Sequence, residues 1–295
     1  MNSKIPPIGA ALCLLIAQGS YASVERIEAT YKFIWKGMHV STAETVTELR
    51  PESYSLNIDI RMRGLAKMFM GGEKLAFSVF GDVDENGNIT PREFETSGQW
   101  KGDPYRQALS YNANGDLTAF VQERSAKWKA KNRRQPVPKT LQRGIDPVSL
   151  LVELIRRPAN KELALNTSFK VYDGEAAYDW SMQCDEKPVK IKKSKRSDQS
   201  GLAHLCILKP KLLAGERVGK SVERISKHRL SKKAGKPTPQ QVVKVWMKLV
   251  ADGSCWMPIR ALVPSEKGPV RVYLSSIVTK TATLEPMHFG QASSK

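Results

Sequence analysis

A period of two along the chain narrows the fold more than any other feature. Tyr54, Leu56, Ile58, Ile60 and Met62 alternate with Ser55, Asn57, Asp59, Arg61 and Arg63. Only an extended segment sorts such a run into one oily and one wet face, because successive strand side chains point to opposite sides. Ile27, Ala29, Tyr31, Phe33 and Trp35 repeat the rhythm until Gly37 interrupts it, and another run starts near Val40. Leu75 to Val83, Tyr105 to Tyr111, Phe169 to Tyr172, Val242 to Val250, Trp256 to Val263 and Val270 to Val278 read the same way. Asn86-Gly87, Asn114-Gly115, Asp173-Gly174 and Asp252-Gly253 supply turns between them. The pattern predicts an all-β fold, mainly antiparallel, as a curled sheet or barrel-like sandwich with one or two short helices.

One segment switches period. Asp146 can cap a helix, Pro147 suits its first turn, and Val148, Leu151, Leu154 and Ile155 form an apolar stripe. Arg156 and Arg157 complement the dipole at its end, and Pro158 stops it. A weaker helical turn is predicted over Leu65 to Met70.

The N-terminus predicts export. Lys4 is the only charge ahead of an apolar run from Ile8 to Ala17, and small residues at Ser20 and Ala22 fit a signal-peptidase site, with cleavage after Ala22. The competing reading is a buried N-terminal helix. The run is too short to serve as an anchor, and Cys13 follows Leu12, which does not suit lipidation. Residues 1–22 are therefore read as a signal peptide, 23–285 as a single curved β domain, and 286–295 as a flexible tail. The mature chain is expected to be soluble and periplasmic.

Export permits disulfides. Cys184, Cys206 and Cys255 remain after cleavage. Cys184 and Cys206 flank a basic stretch between two strand-like runs and are the favoured pair, which leaves Cys255 free and buried beside Trp256. Pairing of Cys255 with either of the others stays open. A metal site on His204 and Cys206 has no further ligand at a suitable spacing.

The charge is unusual. Forty-seven Lys and Arg against 29 Asp and Glu give a formal net charge of +18. Residues 124–143 carry eight Lys or Arg and no acid, and 187–196 and 209–236 add two more basic stretches. All three read as long solvated loops. An exported chain rarely meets nucleic acid, so the expected polyanion is anionic lipid or an envelope polymer. Such contact would be long-range, weakened by salt, and peripheral to the membrane at most.

Asp82-Val-Asp-Glu-Asn-Gly-Asn-Ile-Thr-Pro-Arg-Glu93 matches a calcium loop. Asp82, Asp84 and Asn86 stand at the alternate oxygen-donor positions, Asn88 offers its carbonyl, and Glu93 is placed to bind with both oxygens. An EF-hand needs flanking helices, whereas Leu75, Phe77 and Val79 alternate as in a strand. A hairpin turn is the leading reading of the same residues, and a calcium-binding module is the alternative. No other cofactor is expected.

No catalytic motif stands out. His39, His204, His228 and His288 sit in no recognisable triad, and no nucleophile elbow, phosphate loop or dinucleotide fingerprint occurs. A non-enzymatic role is expected. A cell-wall hydrolase, which would need converging acids or a buried His pair, is the alternative.

Tyr31-Lys-Phe-Ile-Trp-Lys-Gly37, Arg63-Gly-Leu-Ala-Lys67, Gly98-Gln-Trp-Lys-Gly102, Gly144-Ile-Asp-Pro147, Val171-Tyr-Asp-Gly174 and Pro258-Ile-Arg-Ala-Leu262 occur in an order that resembles an exported proteobacterial family, domain of unknown function 3108. The resemblance runs from about Ala29 to Thr279. It implies a periplasmic location, a curved β fold, and a strand, turn and strand over Gly81 to Phe94. It brings no established activity and no catalytic residues. The basic insertions and the pair Cys184 and Cys206 depart from the family pattern.

The expected role is thus a periplasmic binding or scaffolding protein supporting envelope integrity. Tyr31, Phe33, Trp35, Phe77, Trp246 and Trp256 are candidates to line a concave face for an apolar or peptide ligand. The competing reading of these six is packed core, the usual place for aromatics at period two.

Overall fold

The computed structural model describes residues 23–64, 74–100, 102–156, 166–218, 242–250, 255–265 and 268–283. The predicted signal peptide, the predicted helical turn over 65–70, the greater part of the third basic stretch and the expected tail lie outside the described residues.

Seven strands come first: β1 (Ser23–Trp35), β2 (Met38–Leu49), β3 (Ser53–Met62), β4 (Lys74–Val83), β5 (Ile89–Trp100), β6 (Asp103–Tyr111) and β7 (Leu117–Glu123). A connecting segment follows with the short helix α1 (Ala126–Lys131), a 3-10 turn (Lys139–Leu141) and the helix α2 (Ser149–Arg156). The second half holds β8 (Asn166–Tyr172), β9 (Ala177–Cys184), β10 (Val189–Ile191), β11 (Gly201–Ala214), β12 (Val243–Val250), β13 (Cys255–Val263) and β14 (Val270–Thr283).

These strands form one sheet in the order 7-6-5-4-3-2-1-14-13-12-11-9-8, with β10 added at β11. The named strands pair antiparallel throughout. Strands largely lie beside their sequence neighbours in each half, and the two halves join where β1 meets β14, paired from Ser23↔Thr283 to Trp35↔Val270 with one register shift between Thr30 and Tyr31. The all-β, antiparallel expectation is met, and the sheet remains open, with β7 and β8 at its two ends.

Helix α2 fills the interior of the curl. Val148 just ahead of it, and its own Val152 and Ile155, join a cluster with Ile27, Tyr54, Leu56, Leu109, Met257 and Leu274. Leu154 points into a second cluster with Met182, Cys184, Cys206, Leu208, Met247 and Trp256. The apolar stripe read from the sequence therefore bridges two cores. Each such side chain removed from water is worth about 1.5–3 kcal/mol.

Asp146 starts this helix as expected. It is fully buried, and its Oδ1 accepts hydrogen bonds from the backbone N–H groups of Val148 and Ser149, both at 2.8 Å. The Tyr54 hydroxyl in β3 donates to Ser149 Oγ at 2.9 Å, tying the helix start to the sheet. Burial raises the Asp146 carboxyl and the Tyr54 hydroxyl above their ordinary pKa values.

Where they are described, the basic stretches carry more backbone pairing than the solvated loops that their charge suggested. Residues 124–143 form α1, the 3-10 turn and two isolated β-bridges, Arg134↔Arg217 and Asp116↔Arg143. Within 187–196, Val189–Ile191 pairs with Gly201–Ala203 as β10 against β11. Lys209 to Ala214 is the end of β11. The physical reason is that a strand or strap needs only one dry side, so long cationic side chains can stay in water while their backbone is paired.

Candidate functional site: the mouth of the rolled sheet

The open sheet rolls until its two ends overlap, and the connecting segment straps them together. The β8–β9 turn is pinned by Asp173, whose Oδ1 accepts from the N–H groups of Glu175 and Ala176, and by the Tyr172 hydroxyl, which donates to the Gly174 carbonyl. This tip lies against β6 and β7. The Gln107 side-chain amide donates to the Asp173 carbonyl, and Gln122 Nε2 donates to Glu175 Oε1 at 2.7 Å. Gly174, at φ +88°, has no room for a Cβ beside Gln107 and Phe120, so only glycine lets the tip close in.

The strap runs along this junction. Arg134 Nη1 donates to the Gly215 carbonyl at 2.7 Å, and its Nε lies 3.6 Å from Glu175. The Gln135 N–H donates to the Glu216 carbonyl, and the Val218 N–H to the Arg133 carbonyl. Further on, Ile145 and Val171 bridge in parallel, with the Ile145 N–H donating to the Lys170 carbonyl and the Tyr172 N–H to the Ile145 carbonyl. Backbone pairing thus holds a segment that composition alone assigns to solvent.

Between the strap, α1, β7 and the tip opens a cleft of about 450 Å3. Phe120, Trp128 and Tyr172 give it aromatic walls, Arg133, Arg134 and Lys129 give it charge, and Gln122, Asn132, Gln135 and Gln142 give it amides. At its margin Arg124 stacks on two rings, 3.9 Å from the centroid of Tyr105 and 4.4 Å from that of Trp128. Ser125 caps α1 by accepting from the Trp128 backbone N–H, which fixes the helix start that carries the indole. Burial pushes the Tyr172 hydroxyl up to about 12. The one carboxylate in the lining, Glu175, is already held by Arg134 and Gln122. The cleft is therefore a cation-rich, amphipathic surface whose acid is occupied.

The six aromatics proposed from sequence do not line it. Tyr31 and Trp256 are buried, one in each core cluster, and Phe33, Phe77 and Trp246 pack against the first cluster. Trp35 is half-buried under the Lys36 ammonium, 4.8 Å from its ring centroid. Tyr31, Phe33, Phe77, Trp246 and Trp256 fill the inside of the roll together with α2, which leaves the concave face packed.

The calcium-loop residues form a hairpin turn between β4 and β5, where an EF-hand would have helices. Asp84 Oδ1 accepts from the N–H groups of Asn86 and Asn88, and Oδ2 from the Asn88 side chain at 2.8 Å. These bonds, the side-chain one foremost, hold the Asp84 carboxyl below the usual range. Asp82 pairs with Arg92, Glu93 stands in the β5 ladder opposite Phe80, and Gly87 supplies the positive φ of the turn. Among the described residues no three His, Cys, Asp or Glu side chains gather at metal-binding spacing.

Cys184 and Cys206 form a disulfide across the directly opposed positions of β9 and β11. Cys255 is buried and lies outside this disulfide. His204 faces the edge of Trp256 and bonds the Asp185 carbonyl, so the His204 and Cys206 metal pair does not form.

Sequence reasoning missed Phe120, Trp128 and Arg133 as a group. The available signals were a Ser125 cap and one tryptophan inside an otherwise cationic stretch. Comparison with protein families, curated proteins and solved structures returns no match for this chain. Among the described residues no helix is long and apolar enough to cross a membrane.

Proposed function

We propose that this chain is an exported, non-enzymatic envelope factor that binds anionic envelope material through its basic strap. The carrying observation is that the cations of 124–143 are held in an ordered frame at the mouth of the roll. A paired backbone loses less freedom on binding than a solvated loop does. The signal-like N-terminus and the Cys184–Cys206 bridge support a site of action outside the cytoplasm. The resemblance to the domain of unknown function 3108 family points the same way.

The role is binding rather than chemistry because the carboxylate of the cleft, Glu175, is neutralised by Arg134 and hydrogen-bonded by Gln122. The packed interior moves the ligand from the concave face to the surface. Flotation with vesicles of rising phosphatidylglycerol content, run beside sedimentation with an insoluble acidic polymer, tests the proposal. Binding should rise with anionic content and fall as salt is raised past physiological ionic strength. Indifference of both assays to charge and salt would refute it.

A further inference from the structure

The cleft at the mouth of the roll has a more specific chemistry than its charge, and we infer that it takes an acidic saccharide, a sugar ring bearing a carboxylate or a phosphate. This rests on the binding reading above and names its ligand.

The amides carry the argument. Gln122 donates to the Glu175 carboxylate, Gln142 Nε2 to the Val137 carbonyl at 2.8 Å, and Asn132 Nδ2 to the Trp128 carbonyl at 3.0 Å. All three partners accept only, so each amide must turn its nitrogen toward the protein. Their three carbonyl oxygens have no donor among the described residues. A site rich in unused acceptors suits a ligand rich in hydroxyl donors. Phosphate headgroups have few such donors, and a peptide strand would seek a backbone edge.

The rest of the lining fits the same ligand. Phe120 is 41% exposed, and Trp128 has one face under the Arg124 guanidinium, so Phe120 and the other face of the indole are available to the C–H face of a sugar ring. Arg133 is exposed and has no carboxylate partner among the described residues, unlike Arg134, whose fork is taken by Glu175 and Gly215. A free guanidinium fork matches a carboxylate or phosphate in bidentate fashion. The volume of about 450 Å3 falls in the range of small-ligand pockets.

The test is calorimetric titration of the full chain with a galacturonic-acid trisaccharide, with a hexose phosphate, and with a neutral galacto-oligosaccharide of the same length. At least one acidic sugar should bind and the neutral one should bind at least about tenfold more weakly, the loss of one charged hydrogen-bonding pair. Arg133→Ala should reproduce that drop, and Phe120→Ala should weaken binding about threefold to tenfold. Arg61→Ala, remote on β3, should change it less than twofold, and unchanged circular dichroism should accompany all three variants. Which acidic sugar binds separates the carboxylate source from the phosphate source.

Equal binding of neutral and acidic sugars, or acidic binding indifferent to Arg133 and Phe120, would overturn the inference. No sugar binding beside preserved vesicle or polymer binding would overturn it while leaving the envelope proposal standing. Failure with sugars, vesicles and polymer alike would remove both.

Discussion

Removing the Cys184–Cys206 bridge tests how the second half of the sheet is held. The two cysteines are 22 residues apart, and the segment they enclose contains β10 and the second basic stretch. Closing a loop of that length restricts the unfolded chain by about 11 cal/mol/K, or about 3.4 kcal/mol at 25 °C. Both sulfurs also pack in the cluster around Leu154 and Met247, so the double Cys184→Ala, Cys206→Ala variant loses some apolar contact as well. The assay is urea unfolding followed by tryptophan fluorescence. With a slope of about 3 kcal/mol/M, the midpoint should fall by about 1 M or slightly more. Reduction of the wild-type protein should give most of the same shift. Cys255→Ala serves as control: it deletes a buried thiol without opening a loop, and should cost about 1 kcal/mol. A midpoint unmoved by reduction, or a Cys255→Ala shift as large as that of the double variant, would refute the loop-closure reasoning.

Three further outcomes are expected. Ile155→Ala, at the buried end of α2, should destabilise by about 2–5 kcal/mol in the same unfolding assay, because the helix is the filling between sheet halves. Gly144→Ala places a Cβ against the Lys170 carbonyl at φ +110°, so it should cost at least about 1 kcal/mol. It should also speed hydrogen exchange at the Ile145 and Tyr172 amides before that of the β1–β14 centre. Asp146 has a folded pKa raised by burial, so its protonated form favours the folded state. That contribution is fully present below the ordinary value of 3.8 and is lost as pH climbs through the raised one. Asp146→Asn removes this slope, so the stability of wild type relative to the variant should fall with rising pH. A flat difference from acid to neutral pH would count against it.

The strands were legible because a sheet with one packed face writes its period into each segment separately. Tyr54 and Leu56 need only their own neighbours to be read as inward-facing. The α2 stripe was legible for the same reason, and so was its Asp146 cap. The hairpin at Asp84–Asn88 was legible from turn chemistry, since Asp84 caps its own loop whatever surrounds it.

The strap was not legible. Eight cations without an acid carry no period, and what orders them is pairing with residues far along the chain: Arg134 with Gly215 and Glu175, Gln135 with Glu216, Arg143 with Asp116. Period two could say that Phe77 and Trp246 face inward, but not whether the inside is empty. That depended on where α2 docks, and the helix carries no mark of its destination.

By itself, then, the sequence marked most of the extended segments, the helix α2 and the turns at Asn86-Gly87, Asn114-Gly115 and Asp173-Gly174, since each depends on interactions within about a dozen residues, but not β7 or the short helix α1. Only the tertiary structure decided that the open sheet rolls until its ends overlap, that its concave face is filled, and that Phe120, Trp128 and Arg133 share one cleft. Those outcomes depend on contacts between the β8–β9 tip and β6–β7, more than 50 residues apart in the chain, and no local pattern records where a distant surface will arrive.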